Sequence, residues 1–179
     1  MNGTALGSPG QTTYVNQGEF AISAEQGRAL STILGSCVAT CIFDPEARIG
    51  GMNHFLLPDR SSGRNDSGLY GVHLMELLIN GLMRAGASKH LLCARLFGGA
   101  SLIGASSDVG ARNAQFARSF LQVEGIKLVE ESLGGAQGRR ISFTPHDGEA
   151  RERLIAKYDD PEPAPISAPA REESDVELF

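Results

Sequence analysis

The sequence has no tryptophan and few other aromatic residues, with 8 Phe and 3 Tyr among 179 positions. This scarcity argues against a surface of aromatic platforms on which single-stranded nucleic acid could stack. Three cysteines do not make a disulfide framework, and their odd number favours a reducing compartment. No apolar run approaches the roughly 18 residues of a membrane-spanning helix, and the first residues lack the basic start and apolar stretch of a signal peptide. We therefore expect a cytoplasmic protein that does not insert into membranes.

The net charge of −5 is concentrated at the C-terminal end of the sequence. Residues 159–179 contain seven acidic side chains and one basic side chain, together with four of the 8 prolines. The other residues carry a net charge of +1, which gives no electrostatic reason to expect nucleic acid binding. An acidic, proline-rich segment buries too little apolar surface to offset the entropy lost on ordering. We therefore predict a disordered tail at 159–179, a flexible segment at 1–17 and one folded domain at 18–158.

Within this domain the hydrophobic pattern changes between the period of a strand and the period of a helix. Residues 59–68 are all turn formers and predict a mobile loop. Many strands with only two main helices predict an α+β fold, with a mostly antiparallel, sheet-rich body on which the helices pack. The predicted strands lie at 18–23, 28–34, 37–43, 48–57, 90–97, 126–132, 139–145 and 152–158, and the predicted helices lie at 69–85 and 109–124.

The corner formed by residues 35–37, Gly-Ser-Cys, is the most informative part of the sequence. A corner after a strand can hold a thiol where backbone N–H groups are free to meet an oxyanion. A hairpin with a four-residue loop at 44–47 places Cys37 directly opposite His54. Cross-strand neighbours have Cβ atoms about 4.5–5.5 Å apart, and at that separation an imidazole lowers the pKa of a thiol. The pattern predicts Cys37 as nucleophile and His54 as base, provided that the register is not shifted by one residue.

A cysteine–histidine pair often needs a third group, which orients the imidazole ring. Ser31 and Thr32 lie six and five residues before Cys37. Either hydroxyl can accept a hydrogen bond from the ring, although more weakly than a carboxylate would. Both residues are candidates at this point.

Structural roles account for the other cysteines and histidines. Cys41 and Cys93 lie inside apolar runs, where we expect them to be small buried hydrophobic residues. A metal site is disfavoured, because Cys37 and Cys41 have no second close pair to complete a tetrahedral ligand set. The glycines after the strand at 90–97 do not match a dinucleotide-binding pattern, so no cofactor is expected. The histidines that we assign to structural or turn positions are His73, His90 and His146.

Six segments in order resemble the CheD family, the chemoreceptor glutamine deamidases of bacterial chemotaxis. The first two are LGSCVATCIFDP at 34–45 and GGMNHFLLP at 50–58. The resemblance covers roughly residues 18–157, and an ordered set of this kind is far more specific than a Gly-Ser-Cys triplet alone. The other segments are FGGAS at 97–101, VGARN at 109–113, GIKLVEESLGG at 125–135 and RRISF at 139–143.

The resemblance implies that the chain hydrolyses particular glutamine side chains on the cytoplasmic helices of methyl-accepting chemotaxis receptors, giving glutamate and ammonia. The family nucleophile falls on Cys37 and the family histidine on His54. The family also uses a threonine upstream of the cysteine, but here the matching spacing gives Ser31, and Thr32 follows one residue later. The family fold is a layered α/β sandwich, and some members bind CheC, a phosphatase of the response regulator.

Functions of other classes also fit the sequence. The chain could be a non-catalytic or weakly catalytic binding module that regulates a CheC-like phosphatase or a receptor array. It could also be a thiol enzyme that transfers the acyl group to an amine or hydrolyses receptor methyl esters. Release of ammonia from a receptor glutamine, absent in Cys37→Ala, distinguishes an enzyme from a binding module. Addition of a primary amine distinguishes hydrolysis from acyl transfer.

Overall fold

The computed structural model describes residues 10–58, 67–101 and 108–156. The predicted acidic tail at 159–179 and most of the predicted loop at 59–68 therefore lie outside the described residues. The helices are α1, Ser67–Arg84, and α2, Val109–Glu124, and a short 3-10 helix covers Lys89–Leu91. The strands are β1 Thr12–Tyr14, β2 Phe20–Ser23, β3 Ala29–Leu34, β4 Val38–Asp44, β5 Ile49–Phe55, β6 Cys93–Gly98, β7 Lys127–Leu133, β8 Arg139–Thr144 and β9 Glu149–Leu154.

These elements form three layers. One sheet has the strand order β1-β3-β8-β9, and the other has the order β2-β5-β4-β6-β7. Five strand pairings are antiparallel, and two, β1 with β3 and β6 with β7, are parallel. One apolar cluster joins the two sheets, and a second joins the five-stranded sheet to α1 and α2. The fold is thus the α+β layered sandwich, mostly antiparallel, that the sequence predicted.

Strand β4 lies in the middle of the five-stranded sheet and is buried along its whole length. Val38 and Ile42 face the helices, whereas Ala39, Cys41 and Phe43 face the other sheet. A strand covered on both faces needs apolar side chains at nearly every position. This explains why the sequence shows a continuous apolar run here rather than alternation.

The register of the β4–β5 hairpin differs from the predicted one. Ala39, not Cys37, lies opposite His54, and Asp44 pairs with Ile49. The connection therefore consists of residues 45–48 rather than 44–47. The prediction that Cys37 and His54 are direct cross-strand neighbours is wrong.

The side chain of Asp44 sets this turn. Its carboxylate accepts hydrogen bonds from the backbone N–H groups of Glu46 and Ala47, at 2.9 and 3.0 Å. Arg48 has a φ of 54°, a left-handed conformation that cannot continue a strand. Asp44 is therefore the last residue of β4, and β5 starts one residue later than predicted.

The shift in register amounts to two residues, which is one full period of a strand. His54 consequently stays on the same face of the hairpin as in the predicted register, and in the structure this face is turned towards the four-stranded sheet. Cys37 precedes the first residue of β4 and lies in the connection that crosses from β3, in one sheet, to β4, in the other.

Strand β1 lies in the segment 1–17 that was expected to be flexible. Its three residues pair in parallel with β3, and Thr13 lies opposite Leu30. Strand β1 was not predicted, because a strand of three residues shows no period. No helix in the described part of the chain is long and apolar enough to span a membrane.

The three cysteines have different surroundings. Cys41 is completely buried between the sheets, where burial raises the pKa of its thiol far above the ordinary value. Cys93 was expected to be buried as well, but it is only half-buried. It is the first residue of β6, two residues after the end of the 3-10 helix, and its sulfur contacts the Leu91 carbonyl oxygen at 3.8 Å. Cys37 is also half-buried.

Replacement of Cys41 by serine should lower the free energy of unfolding by about 1–3 kcal/mol, because the new hydroxyl would have no partner between the sheets. Cys93→Ser is the matched control and should cost less than about 1 kcal/mol, since a half-buried hydroxyl can be hydrated. Urea unfolding followed by circular dichroism measures both values. Equal losses in the two variants would contradict the described burial.

Candidate active site

The turn at residues 35–37 is tied to the far end of β6 and to α2. Its three carbonyl oxygens, in chain order, accept hydrogen bonds from the Ala100 N–H, the Asn113 side-chain amide and the Gly99 N–H, at 2.9, 2.8 and 2.7 Å. With the carbonyl groups engaged in this way, the N–H of Cys37 lies close to its own sulfur. Among the described residues, the Ser36 and Cys37 N–H groups have no other acceptor. The N–H of Cys37 is therefore available beside its own thiol.

Two glycines allow this close packing. Gly98 has a φ of 113°, and a Cβ there would collide with the carbonyl oxygen of Cys37. Gly110, in the first turn of α2, has no room for a Cβ between the carbonyl oxygens of Gly99 and Ala100. The glycines of the segments at 97–101 and 109–113 are thus required because β6, α2 and the Cys37 turn approach one another at backbone distance.

The imidazole of His54 projects from β5 towards the four-stranded sheet, where it meets Thr32 of β3. The hydroxyl oxygen of Thr32 lies 2.9 Å from Nδ1 of His54 and 2.7 Å from the carbonyl oxygen of Val15. The same carbonyl oxygen lies 3.3 Å from Nδ1. These three groups are buried, with exposed fractions of 7% for His54, 4% for Thr32 and 2% for Val15.

This geometry assigns the proton of the imidazole to Nδ1. A carbonyl oxygen can only accept, so the Thr32 hydroxyl donates its single proton to Val15. The hydroxyl oxygen is then free to accept from Nδ1–H, and the Val15 carbonyl also faces that proton. The lone pair of the neutral ring is therefore on Nε2, which has no hydrogen-bond partner in the described part of the chain. An imidazole in this state can accept a proton at Nε2.

Of the two candidate hydroxyls, only that of Thr32 reaches the imidazole. Ser31 projects from the other side of β3, and its hydroxyl donates to the carbonyl oxygen of Ile141 on β8, at 2.8 Å. Neighbouring residues of a strand point to opposite faces, so one of the two hydroxyls had to be excluded. Spacing to Cys37 could not decide between them, because it does not say which face of β3 is turned towards His54.

One segment between β1 and β2 contacts both Cys37 and His54. The sulfur of Cys37 donates to Oε1 of Gln17 at 3.5 Å, and the N–H of Gly18 donates to the backbone oxygen of His54 at 2.8 Å. The side chain of Cys37 and the backbone of His54 thus contact two consecutive residues. No hydrogen bond links the sulfur directly to the imidazole among the described residues.

Burial keeps both partners neutral. It raises the pKa of the Cys37 thiol, although the backbone N–H of the same residue opposes this effect. Burial lowers the pKa of His54, against the Val15 carbonyl and the Glu19 carboxylate, which favour the charged ring. The expectation that the pair lowers the thiol pKa is therefore wrong for this state of the protein. The resting arrangement is a thiol and a neutral imidazole, which can become an ion pair only by transfer of a proton.

Asn113 is a site residue whose role was not predicted from the sequence. It is fully buried in α2, and its two polar atoms bind two different backbone segments. Nδ2 donates to the Ser36 oxygen at 2.8 Å, and Oδ1 accepts from the Leu57 N–H at 3.0 Å. One amide thus joins the residue before Cys37 to the chain three residues after His54. A buried Asn in an otherwise apolar helix stripe is the signal in the sequence that could have indicated this role.

A surface groove adjoins the end of β5 and the start of α2. Its walls are apolar, with Leu57 and Phe116, and its rim carries the charged groups of Asp108 and Arg112. The other lining residues are Pro58, Gly68, Ala111 and Gln115. In the described part of the chain, no group of three or more His, Cys, Asp or Glu side chains is placed to hold a metal ion.

The imidazole of His54 should titrate below its ordinary pKa of 6.5 and, when neutral, carry its proton on Nδ1. Between the folded-state pKa and pH 6.5, the unfolded chain binds a proton at His54 that the folded chain does not bind. The stability contributed by the neutral ring is complete above pH 6.5 and is lost as the pH falls to the folded-state pKa. Each unit by which folding lowers the pKa of His54 corresponds to about 1.4 kcal/mol in the free energy of unfolding.

Nitrogen NMR of the histidine rings measures the proton position and the pKa. In urea unfolding, His54→Gln is the non-titrating control, and its deficit in free energy of unfolding should shrink as the pH falls below 6.5. A proton on Nε2, or a pKa at or above the ordinary value, would contradict the assignment.

Replacement of Asn113 by alanine should lower the free energy of unfolding by about 1–3 kcal/mol, since it leaves two buried backbone groups unpaired. It should also change the rate at which iodoacetamide alkylates Cys37, because the turn loses one of its three supports. Gln122→Ala is the control, on the exposed side of the same helix. Mass spectrometry of the alkylated peptide gives the rate. An unchanged rate and stability would show that the amide does not position the turn.

Comparison with known proteins agrees with the resemblance in the sequence. The family model "CheD chemotactic sensory transduction" matches residues 56–153. The "Probable chemoreceptor glutamine deamidase CheD" of Caulobacter vibrioides is 47% identical over 172 residues, covering 93% of this chain and 92% of that protein. A protein of the same name from Sinorhizobium medicae is 47% identical over 180 residues, covering 95% and 97%. Such coverage includes Cys37, which lies outside the match to the family model.

Among solved structures, the hypothetical protein YfiH of Bacillus licheniformis has a TM-score of 0.43 at 12% identity, covering 69% of this chain and 60% of that one. That likeness is too distant to bear on function. The family model matches more than half of the chain, and the curated relatives match nearly all of it. The chain therefore belongs to the CheD family.

Proposed function

We propose that this protein hydrolyses the side-chain amide of glutamine residues in chemoreceptors, giving glutamate and ammonia through a thioester on Cys37. The relatives that match nearly all of the chain are named chemoreceptor glutamine deamidases. The observation that supports the chemistry is the tautomer of His54: its proton is held on Nδ1 by Thr32 and Val15, which leaves Nε2 without a partner among the described residues and able to accept a proton.

The reaction begins with loss of the thiol proton. Nε2 of His54 accepts the proton of Cys37, and the sulfur attacks the amide carbon of the substrate glutamine. The electron pair of the C=O bond moves to the oxygen, and the Cys37 N–H stabilises the resulting oxyanion. The oxyanion collapses, the C–N bond breaks, and the imidazolium gives its proton to the leaving nitrogen. Ammonia leaves, and the acyl group remains on the sulfur as a thioester.

Hydrolysis of the thioester regenerates the enzyme. His54 takes a proton from water, the hydroxide attacks the thioester carbon, and a second oxyanion forms. Its collapse breaks the C–S bond, and the thiolate recovers its proton from the imidazolium. The product is the glutamate side chain. Thr32 acts throughout as a positioning residue, because its hydroxyl accepts from Nδ1–H and strengthens its hydrogen bond when the ring is charged.

The substrate defines where the protein acts. Receptor glutamines of this kind lie on cytoplasmic helices, so we place the protein in the cytoplasm. The groove lined by Leu57 and Phe116 starts three residues after His54 and has the apolar walls that the side of a helix would contact. A CheC-type phosphatase is a further proposed partner, in keeping with the behaviour of some members of the family.

Deamidation should be abolished in Cys37→Ala and reduced roughly tenfold or more in Thr32→Val, which cannot hold the Nδ1–H tautomer through a hydroxyl. Ser31→Ala is the matched control and should retain activity, because this hydroxyl binds Ile141 on the opposite face of β3. Mass spectrometry of a co-expressed receptor detects each conversion as a gain of about 1 Da, the arithmetic of replacing an amide by an acid.

The same assay distinguishes the other functions. A wild-type chain that binds receptor without any gain in mass would be a binding module, and a product larger by an added amine would show acyl transfer. A larger loss in Ser31→Ala than in Thr32→Val would contradict the assignment of the positioning hydroxyl.

A further inference from the structure

The proposed reaction forms an oxyanion twice, and the described turn supplies donors for it on one side only. The Cys37 N–H lies beside the sulfur, and the Ser36 N–H is its neighbour in the same turn. Oxyanions in acyl-transfer enzymes are commonly held by two donors that approach from different parts of the chain. Among the described residues, the side chain from another part of the chain that forms a hydrogen bond with the sulfur is that of Gln17.

Gln17 is placed at the sulfur by a backbone that is fixed on both sides of it. On one side, the Val15 N–H donates to the Ser31 oxygen at 2.9 Å. On the other side, the Gly18 N–H donates to the His54 oxygen at 2.8 Å. The carboxamide itself is exposed, and its Oε1 accepts from the Cys37 sulfur at 3.5 Å. A rigid backbone with an exposed side chain gives a group that can turn towards a substrate without a change in the fold.

A carboxamide carries an acceptor, Oε1, and a donor, Nε2–H, on the same carbon. The resting thiol has a proton to donate, so Oε1 faces it. Once the sulfur is bonded to the substrate carbon, that proton is gone, and the oxyanion is attached to the carbon next to the sulfur. A half-turn of the carboxamide about its last side-chain bond then directs Nε2–H at the oxyanion from a position that Oε1 already occupies.

We propose that Gln17 is a catalytic residue, whose Nε2–H donates a hydrogen bond to the oxyanion of both tetrahedral intermediates, beside the Cys37 N–H. This inference rests on the proposed deamidation through Cys37. Gln17 takes no part in bond breaking. The C–N and C–S bonds break as described above, and Gln17 keeps both of its amide protons.

The experiment compares two reactions of Cys37 that do not need a receptor. p-Nitrophenyl acetate acylates the sulfur through a tetrahedral oxyanion, whereas iodoacetamide alkylates it by displacement of iodide, with no oxyanion. Gln17→Ala should slow acylation clearly and leave alkylation within about twofold of the wild-type rate. It should slow receptor deamidation by about 10²–10³-fold, the usual effect of removing one such donor.

Two variants and a background correction sharpen the comparison. Gln17→Glu keeps the shape of the side chain but offers only acceptors, so it should slow acylation at least as much as Gln17→Ala. Gln26→Ala, in an exposed turn after β2, is the matched control and should leave all three rates unchanged. Rates measured with Cys37→Ala are subtracted, because Cys93 is also half-buried.

The possible results separate this inference from the proposed function. Unchanged acylation in Gln17→Ala, or acylation and alkylation slowed by the same factor, would overturn the donor role. Faster acylation, alkylation and deamidation would overturn it too, and would show instead that Gln17 covers the thiol in the resting state. If the wild type acylates but does not deamidate receptors, the proposed function fails, and a selective loss of acylation still establishes Gln17 as a donor.

Discussion

The site depends on one buried hydrogen-bonded group, formed by the imidazole of His54, the hydroxyl of Thr32 and the carbonyl oxygen of Val15. Burial of an imidazole between two sheets is unfavourable unless its polar atoms are satisfied. Here Nδ1 is satisfied by β3 and by the residue after β1, whereas the ring itself comes from β5. To hold the ring in this way, with Nε2 unpartnered, the two sheets must stack in one fixed relative position. Strand β1 must also pair with β3.

The same burial sets the charge state of the site. A neutral thiol reacts slowly with oxidants and alkylating agents, since the thiolate is the reactive form. A neutral resting state would thus protect Cys37, the proposed nucleophile, until its proton is transferred. In the proposed reaction the Nδ1–H tautomer needs no rearrangement before Nε2 of His54 accepts that proton. The raised pKa of Cys37 differs from the lowered thiol pKa that the predicted register implied.

Much of this arrangement was accessible from the sequence, and the exceptions have physical causes. The long apolar strands, both helices and the face of His54 were predicted, because periods of two and 3.6 residues leave strong patterns. The register was wrong by one strand period, since the carboxylate of Asp44 determines where the turn begins and hydrophobic pattern does not report it. Strand β1 was missed because it is short and polar, and Asn113 because its role depends on two backbone segments that are distant in sequence.

The proposed nucleophile, Cys37, and the proposed base, His54, have separate supports, and this gives β1 and the residues after it a special importance. The Cys37 turn is tied to β6 and α2 through Gly99, Ala100 and Asn113, whereas the His54 ring is tied to the four-stranded sheet. Besides the pairing of β4 with β5, the segment 15–18 contacts both residues: the Val15 carbonyl faces Nδ1 of His54, Gln17 meets the Cys37 sulfur, and Gly18 binds the backbone of His54. Strand β1 pairs with β3 directly before this segment. A short polar strand with no hydrophobic signal thus helps to place residues that contact both members of the proposed pair.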